Sequence, residues 1–132
     1  MDDVRKKARS MGLKDSVYLV GDRKDVNRIM QAMDVFVLPS LFEGLPVTMV
    51  EAQASGLPCF ISDKVPLECK ITNLVTQISL QTPAEQWAKQ ILSVRGTERK
   101  NTCAEITASG FDIAENAKRL QNFYMEQWKA ND

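Results

Sequence analysis

Histidine is absent from this 132-residue chain. Any general base must then be a carboxylate, lysine, tyrosine or cysteine, or must come from another chain. Cysteine is scarce: Cys59, Cys69 and Cys103 are odd in number, widely spaced and form no C-x-x-C pair. That pattern speaks against structural zinc, a disulfide framework and a Cys–His nucleophile, and fits a reducing, cytoplasmic compartment. Net charge is lacking too. The 17 Lys+Arg balance 17 Asp+Glu, so nothing points to nucleic acid or an anionic membrane surface as a partner. No apolar run approaches the roughly 20 residues of a membrane span. The opening Met1-Asp-Asp-Val-Arg-Lys-Lys7 has no apolar core of a signal peptide.

What is present is globular. Apolar residues make up 44% and charged residues 26%, enough for one domain with a core over residues 1–132. Residues 2–11 read as a helix closed by Gly12. Val17-Tyr-Leu-Val20 reads as a buried strand ended by Gly21. Val26, Ile29, Met30 and Met33 mark a helix, and Val35-Phe-Val-Leu38 a second strand stopped by Pro39. A helix over about 46–55 ends at Gly56, followed by strand Pro58–Ile61. Residues 63–73 read as a loop with a helical turn near Leu67, and Val75–Leu80 as a weak strand. Thr82-Pro-Ala-Glu85 has the form of a capping box opening a helix that buries Trp87, Ala88, Ile91 and Leu92. A polar helix is expected over roughly 98–108. Asp112 caps a long last helix, with Ile113, Ala117, Leu120, Tyr124 and Trp128 expected to face inward. This alternation predicts an α/β fold: a Rossmann-like parallel sheet with helices on both faces.

The informative stretch is Asp34 to Glu51, a strand, a Ser/Gly/Pro turn and a helix start. Unpaired first-turn amides at such a place face whatever lies beyond the sheet edge. Glu43 and Glu51 flank it. Acids beside a phosphate are unfavourable, so their natural partners are hydroxyl groups, as on a sugar. A structural role competes: Ser40-x-x-Glu43 and Thr48-x-x-Glu51 both have capping-box spacing. Pro46 at the first helical position would place Thr48 inside the helix. Glu51 then falls in the second turn, where no orphan amide remains, which makes it the better functional candidate. Ser40 either hydrogen-bonds near a ligand or merely caps. Phe42 walls a pocket or packs the turn. Cys59 reads as a small apolar residue of a buried strand.

Asp34-Val-Phe-Val-Leu-Pro-Ser40, Glu43-Gly-Leu-Pro46, Glu51-Ala and Ala54-Ser-Gly-Leu-Pro-Cys59 together resemble the donor-binding half of family 4 glycosyltransferases, retaining enzymes of GT-B architecture. The two acids have that family's E-x7-E spacing. Val17–Val26 resembles the strand and loop that line the nucleotide base, and Gly110-Phe-Asp112 with Tyr124 resembles the closing segment. The Glu-Gly-Leu-Pro form is like that of bacterial surface-polysaccharide enzymes. The commoner form has Gly where Pro46 stands, so one amide is absent.

The resemblance implies roles. Glu43 would be the catalytic-site acid that accepts hydrogen bonds from the transferred sugar, and Glu51 would hold the ribose hydroxyls of a nucleotide-diphosphate sugar. The amides of Gly44, Leu45, Val47 and Thr48 would face sugar and diphosphate, with Ser40 and Arg23 nearby. No metal and no cofactor beyond the donor are expected. Similar enzymes carry two further strands in this domain and a whole acceptor-binding N-terminal domain. The expectation is therefore a truncated domain lacking its first two strands, inactive alone, and dependent on the missing part, a partner subunit or self-association through open strand edges. In the full-length enzyme it would work in the cytoplasm, at the inner face of the membrane, in surface polysaccharide synthesis. The alternative is an inert split module that binds nucleotide or a partner. Base, sugar and acceptor are not legible.

Overall fold

The computed structural model describes residues 2–130. In chain order it contains α1 (Asp2–Ser10), α2 (Val26–Gln31), β1 (Phe36–Leu38), α3 (Val47–Ala54), β2 (Cys59–Ser62), a 3₁₀ turn (Leu67–Cys69) and β3 (Val75–Ile78). Helices α4 (Ala84–Ser93), α5 (Cys103–Ala108) and α6 (Ile113–Ala130) follow. The three strands form one parallel sheet in the order β1-β2-β3. Phe36 stands opposite Cys59, and Cys59 opposite Val75. The α/β class and the parallel sheet expected from the alternation are what the chain forms.

Side chains alternate across the sheet and so build two cores. On one face Cys59, Ile61 and Val75 pack with Met49 and Ala52 of α3, Met30 of α2, Leu57, Val65 and Cys69. On the other, Phe60 and Ile78 pack with Trp87 of α4, flanked by Val35, Leu80, Ile91 and Val94. Strand β2 is buried along its whole length, as a central parallel strand should be. Each large side chain removed from water in these cores contributes about 1.5–3 kcal/mol.

Polar contacts fix how the helices sit. The Gln53 side chain is fully buried on α3. Its amide nitrogen donates to the carbonyls of Met49 (3.2 Å) and Cys69 (2.7 Å). Its oxygen accepts from the amides of Ile71 (3.0 Å) and Thr72 (2.9 Å) and from the Thr72 hydroxyl (3.1 Å). The Thr102 hydroxyl donates to the Gln53 carbonyl at 2.7 Å, which ties in α5. Arg99 donates to the carbonyls of Met30 (3.1 Å) and Ser55 (2.8 Å) and to that of Met33, closing the C-terminal ends of α2 and α3. Gly56 follows α3 with φ of 69°, and a Cβ there would stand 2.3 Å from the Lys100 carbonyl oxygen. Only glycine fits.

Several sequence expectations are corrected. Val17–Val20 forms no strand; its bonds are local, from the Val17 amide to the Leu13 carbonyl at 3.1 Å and from the Tyr18 hydroxyl to the Asp15 carbonyl at 3.0 Å, and Tyr18 is 79% exposed. Strand preference is largely a preference for a pleated surface to lie on, and no neighbouring strand offers one. Thr82 does not cap α4. Pro83 holds the extended ψ of 144° and takes the cap position without a side-chain bond, so the helix begins one residue later. Glu85 pairs with Lys89 at 3.0 Å instead of reaching back, and Ala88 and Leu92 are exposed. The polar helix is shorter than expected, Cys103–Ala108, because Arg99 and Thr102 are held by the α2–α3 contacts. Helix α6 is capped as expected, with Asp112 accepting from the amides of Ala114 and Glu115. Its apolar stripe, however, faces outward: Ile113, Ala117, Leu120, Tyr124 and Trp128 are all exposed, so Trp128 is not core.

All three cysteines are free, with Cys59 and Cys69 buried and Cys103 exposed. Burial pushes the Cys59 thiol up to about 12 and, as the largest cause, raises Cys69 as well. A raised folded pKa gives stability that is complete below the unfolded thiol value and is lost as pH rises toward the folded one. Stability should therefore fall above about pH 8.5, with Cys59 contributing up to about 1.4 kcal/mol per pH unit. Urea unfolding of the wild type and Cys59→Ala between pH 8 and 10.5 checks this. The wild type should lose stability more steeply than the variant; parallel profiles would contradict the assignment.

Candidate functional site

The turn between β1 and α3 begins where Pro39 ends the strand, since proline has no amide to continue a ladder. The chain then leaves the sheet. Leu41 and Phe42 are strongly exposed, so Phe42 does not pack the turn. Two hydrogen bonds hold the segment. The Ser62 hydroxyl donates to the Ser40 carbonyl at 2.5 Å, and the Ser40 hydroxyl donates to the Glu43 carboxylate at 2.6 Å. The second is a short, charge-assisted bond that fixes the acid. Ser40 therefore neither caps a helix nor stands free; it orients Glu43.

Helix α3 starts one residue later than its sequence indicates. Pro46, buried and extended (φ −73°, ψ 93°), occupies the N-cap, and Val47 is the first helical residue. The first helical bond runs from the Met49 amide to the Pro46 carbonyl at 2.9 Å. The amides of Gly44, Leu45, Val47 and Thr48 find no acceptor among the described residues. A short row of unpaired donors at a positive helix end results. Pro46 interrupts that row.

Glu51 lies three and four residues beyond Thr48 and Val47, hence on their face of the helix. All three are exposed, while Met49, Val50, Ala52 and Gln53 are buried on the other side. The Glu51 carboxylate makes no hydrogen bond or ion pair with the described residues. It also sits in the last turn of an eight-residue helix, where negative charge opposes the helix dipole. Glu51→Gln should therefore leave stability unchanged or raise it by up to about 0.5 kcal/mol in urea unfolding. A loss of 1 kcal/mol or more would show that the carboxylate serves the fold.

Arg23 makes no hydrogen bond or ion pair with this turn among the described residues. Its guanidinium makes a bidentate pair with Asp25 (2.8 and 2.7 Å). That hydrogen bond, first among the causes, raises Arg23 and lowers Asp25 from their ordinary values. Two residues that the sequence reading passed over do matter. Ser62 anchors Ser40, and Gln53 fixes the helix that carries Glu51. Gln53 left a trace, as a long polar side chain between two alanines on a buried helix face; Ser62 left none. Cys69 lies close enough to feel the charges of Glu68 and Glu43, which add to its burial in raising its thiol. Among the described residues no cluster of three His, Cys, Asp or Glu side chains comes together that could hold a metal.

Open apolar space lies beside the site. A groove of about 470 Å³ is lined by Val37, Pro39, Trp87 and Ile91 among others. A second, of about 930 Å³, runs along Tyr18, Met33, Val35, Ile91 and Leu92. The first borders β1 at Val37 and the second the residues just before it, and among the described residues no strand pairs with the outer edge of β1.

The sequence signature of the family described as "Glycosyl transferases group 1" matches residues 1–95, which contain this entire turn. The chain belongs to that family. Curated relatives agree. EpsF of Bacillus subtilis (strain 168), provisionally named a glycosyltransferase, is 39% identical over 129 residues, covering 92% of this chain and 33% of its own length. The Escherichia coli UDP-Gal:alpha-D-GlcNAc-diphosphoundecaprenol alpha-1,3-galactosyltransferase is 31% identical over 121 residues, 88% of this chain and 31% of that one. The Campylobacter jejuni N,N'-diacetylbacillosaminyl-diphospho-undecaprenol alpha-1,3-N-acetylgalactosaminyltransferase is 44% identical over 48 residues, 36% of this chain and 13% of that one. This group 1 glycosyl transferase chain thus spans about a third of the length of the first two relatives.

Proposed function

We propose that the β1–α3 turn is the donor site of a glycosyltransferase, binding a nucleotide-diphosphate sugar for transfer with retention to a saccharide or lipid-linked acceptor in surface polysaccharide synthesis. The observation that carries this reading is the turn itself: unpaired amides at a helix start, between an oriented acid and an unpartnered one. Glu43, held by Ser40, accepts hydrogen bonds from the sugar. Glu51 accepts two ribose hydroxyls, a geometry-selective contact. The amides of Gly44, Leu45, Val47 and Thr48 meet the diphosphate and stabilise the charge that grows on it as the sugar leaves, as an oxyanion hole does. No metal ligand on this chain is assigned to that task. Arg23 joins only if ligand binding draws it away from Asp25.

The acceptor site and part of the donor site belong to the remainder of such an enzyme or to a partner subunit. The full enzyme acts in the cytoplasm at the inner membrane face, a reading supported by the diphosphoundecaprenol in the names of two relatives. Among the described residues no helix is long and apolar enough to cross a membrane. Without that remainder, a second copy can add at the open edge of β1, which sedimentation would register as concentration-dependent association.

Calorimetry with UDP, GDP and their sugars on the wild type and Glu51→Ala tests the reading. Weak binding is expected, reduced about tenfold or more in the variant through loss of charged hydrogen bonds, with no turnover by the 132-residue chain. Absence of any nucleotide binding, or equal binding by Glu51→Ala, would remove the assignment.

A further inference from the structure

We propose that Ser62 is a positioning residue for Glu43, acting through Ser40; the inference rests on the reading of Glu43 as the sugar-facing acid. Ser62 is the last residue of β2 and is completely buried. Its hydroxyl has one proton and two lone pairs, and both capacities are used. The proton goes to the Ser40 carbonyl at 2.5 Å, while the oxygen accepts from the Lys64 amide at 3.3 Å. The backbone of Ser62 is fixed in turn, because its carbonyl accepts from the Gln77 side chain at 3.3 Å and its partner in register is Ile78.

The placement matters because packing holds only the far end of this turn, at buried Pro46. Strand β1 pairs with β2 only as far as Leu38 opposite Ile61, and Pro39 offers no amide to extend the ladder. Leu41 and Phe42 bury nothing that would anchor the loop. One residue beyond the last paired position, Ser62 catches the departing chain at Ser40. Ser40, held at its carbonyl, then directs its own hydroxyl onto Glu43 at 2.6 Å. A fixed sheet end thus reaches the acid through two hydroxyl groups. Removing the Ser62 oxygen frees the Ser40 peptide to rotate, and with it the acid, without touching α3 or Glu51. The effect must therefore fall chiefly on recognition of the sugar, because the Val47 and Thr48 amides and Glu51 ride on α3 and keep their hold on the nucleotide.

The test compares Kd for UDP and UDP-galactose, with GDP and GDP-mannose as the alternative pair, in titrations followed by NMR at millimolar ligand. Ser62→Ala should leave nucleoside-diphosphate affinity within about twofold and cut the advantage of the sugar nucleotide about tenfold, to the level of Glu43→Ala. In the Glu43→Ala background it should add nothing, since the relay then has no acid to aim. Ser62→Thr should restore the advantage. If Ser62→Ala does not fold by circular dichroism, Ser40→Ala should show the same selective loss. A sugar nucleotide that keeps its advantage in Ser62→Ala overturns the relay while leaving the donor-site reading intact. So does a loss shared equally by nucleotide and sugar nucleotide, or one additive with Glu43→Ala. If the wild type binds neither pair, the donor-site reading fails and the relay falls with it.

Discussion

One buried side-chain amide decides where the candidate site sits. Gln53 is surrounded by backbone groups that would otherwise be unpaired away from water, and it satisfies them from the buried face of α3. Each such group left unmet costs about 1–3 kcal/mol, so α3 has one low-energy position against the β2–β3 connection. That position fixes the direction of the α3 start, and with it the row of amides from Gly44 to Thr48. It also turns Glu51 to solvent on the opposite face. The core below is ordinary apolar packing about β2; the precision comes from the polar bracket.

The rest of the molecule shows elements formed locally but lacking neighbours. Helix α6 is capped and periodic, yet its apolar stripe is exposed. Val17–Val20 has the composition of a strand without a ladder to join. Strand β1 has the Val/Phe/Leu content of an interior strand, yet stands at an edge bordered by open grooves. Its protections are its brevity, three residues, and Pro39 directly after it. These features agree with a chain that spans about a third of its first two relatives.

How much was legible in the sequence follows from the same physics. The three parallel strands, the α3 helix and the glycine after it were readable, because period-2 and period-3.6 patterns and a left-handed helix end are local signals. The extent of burial was not. The Trp128 and Trp87 stripes look alike in sequence, and only the fold shows that Trp87 has a sheet beneath it while Trp128 does not. At the candidate site, spacing placed the start of α3 to within one residue and put Glu43 before it and Glu51 on it. The resemblance placed Arg23 near them, and no local pattern announced its pair with Asp25 two residues away. Ser62 is 22 residues from Ser40, and no local pattern announces a hydrogen bond across two strands.

The central claim is that the α3 start receives a diphosphate. Mapping backbone amide shifts of the ¹⁵N-labelled chain on addition of UDP tests it most directly. The account predicts the largest changes at Gly44, Leu45, Val47 and Thr48, with Glu51 next. Changes centred on the basic hollow of Arg5, Arg9 and Lys14, or no site-specific changes with either UDP or GDP, would contradict it.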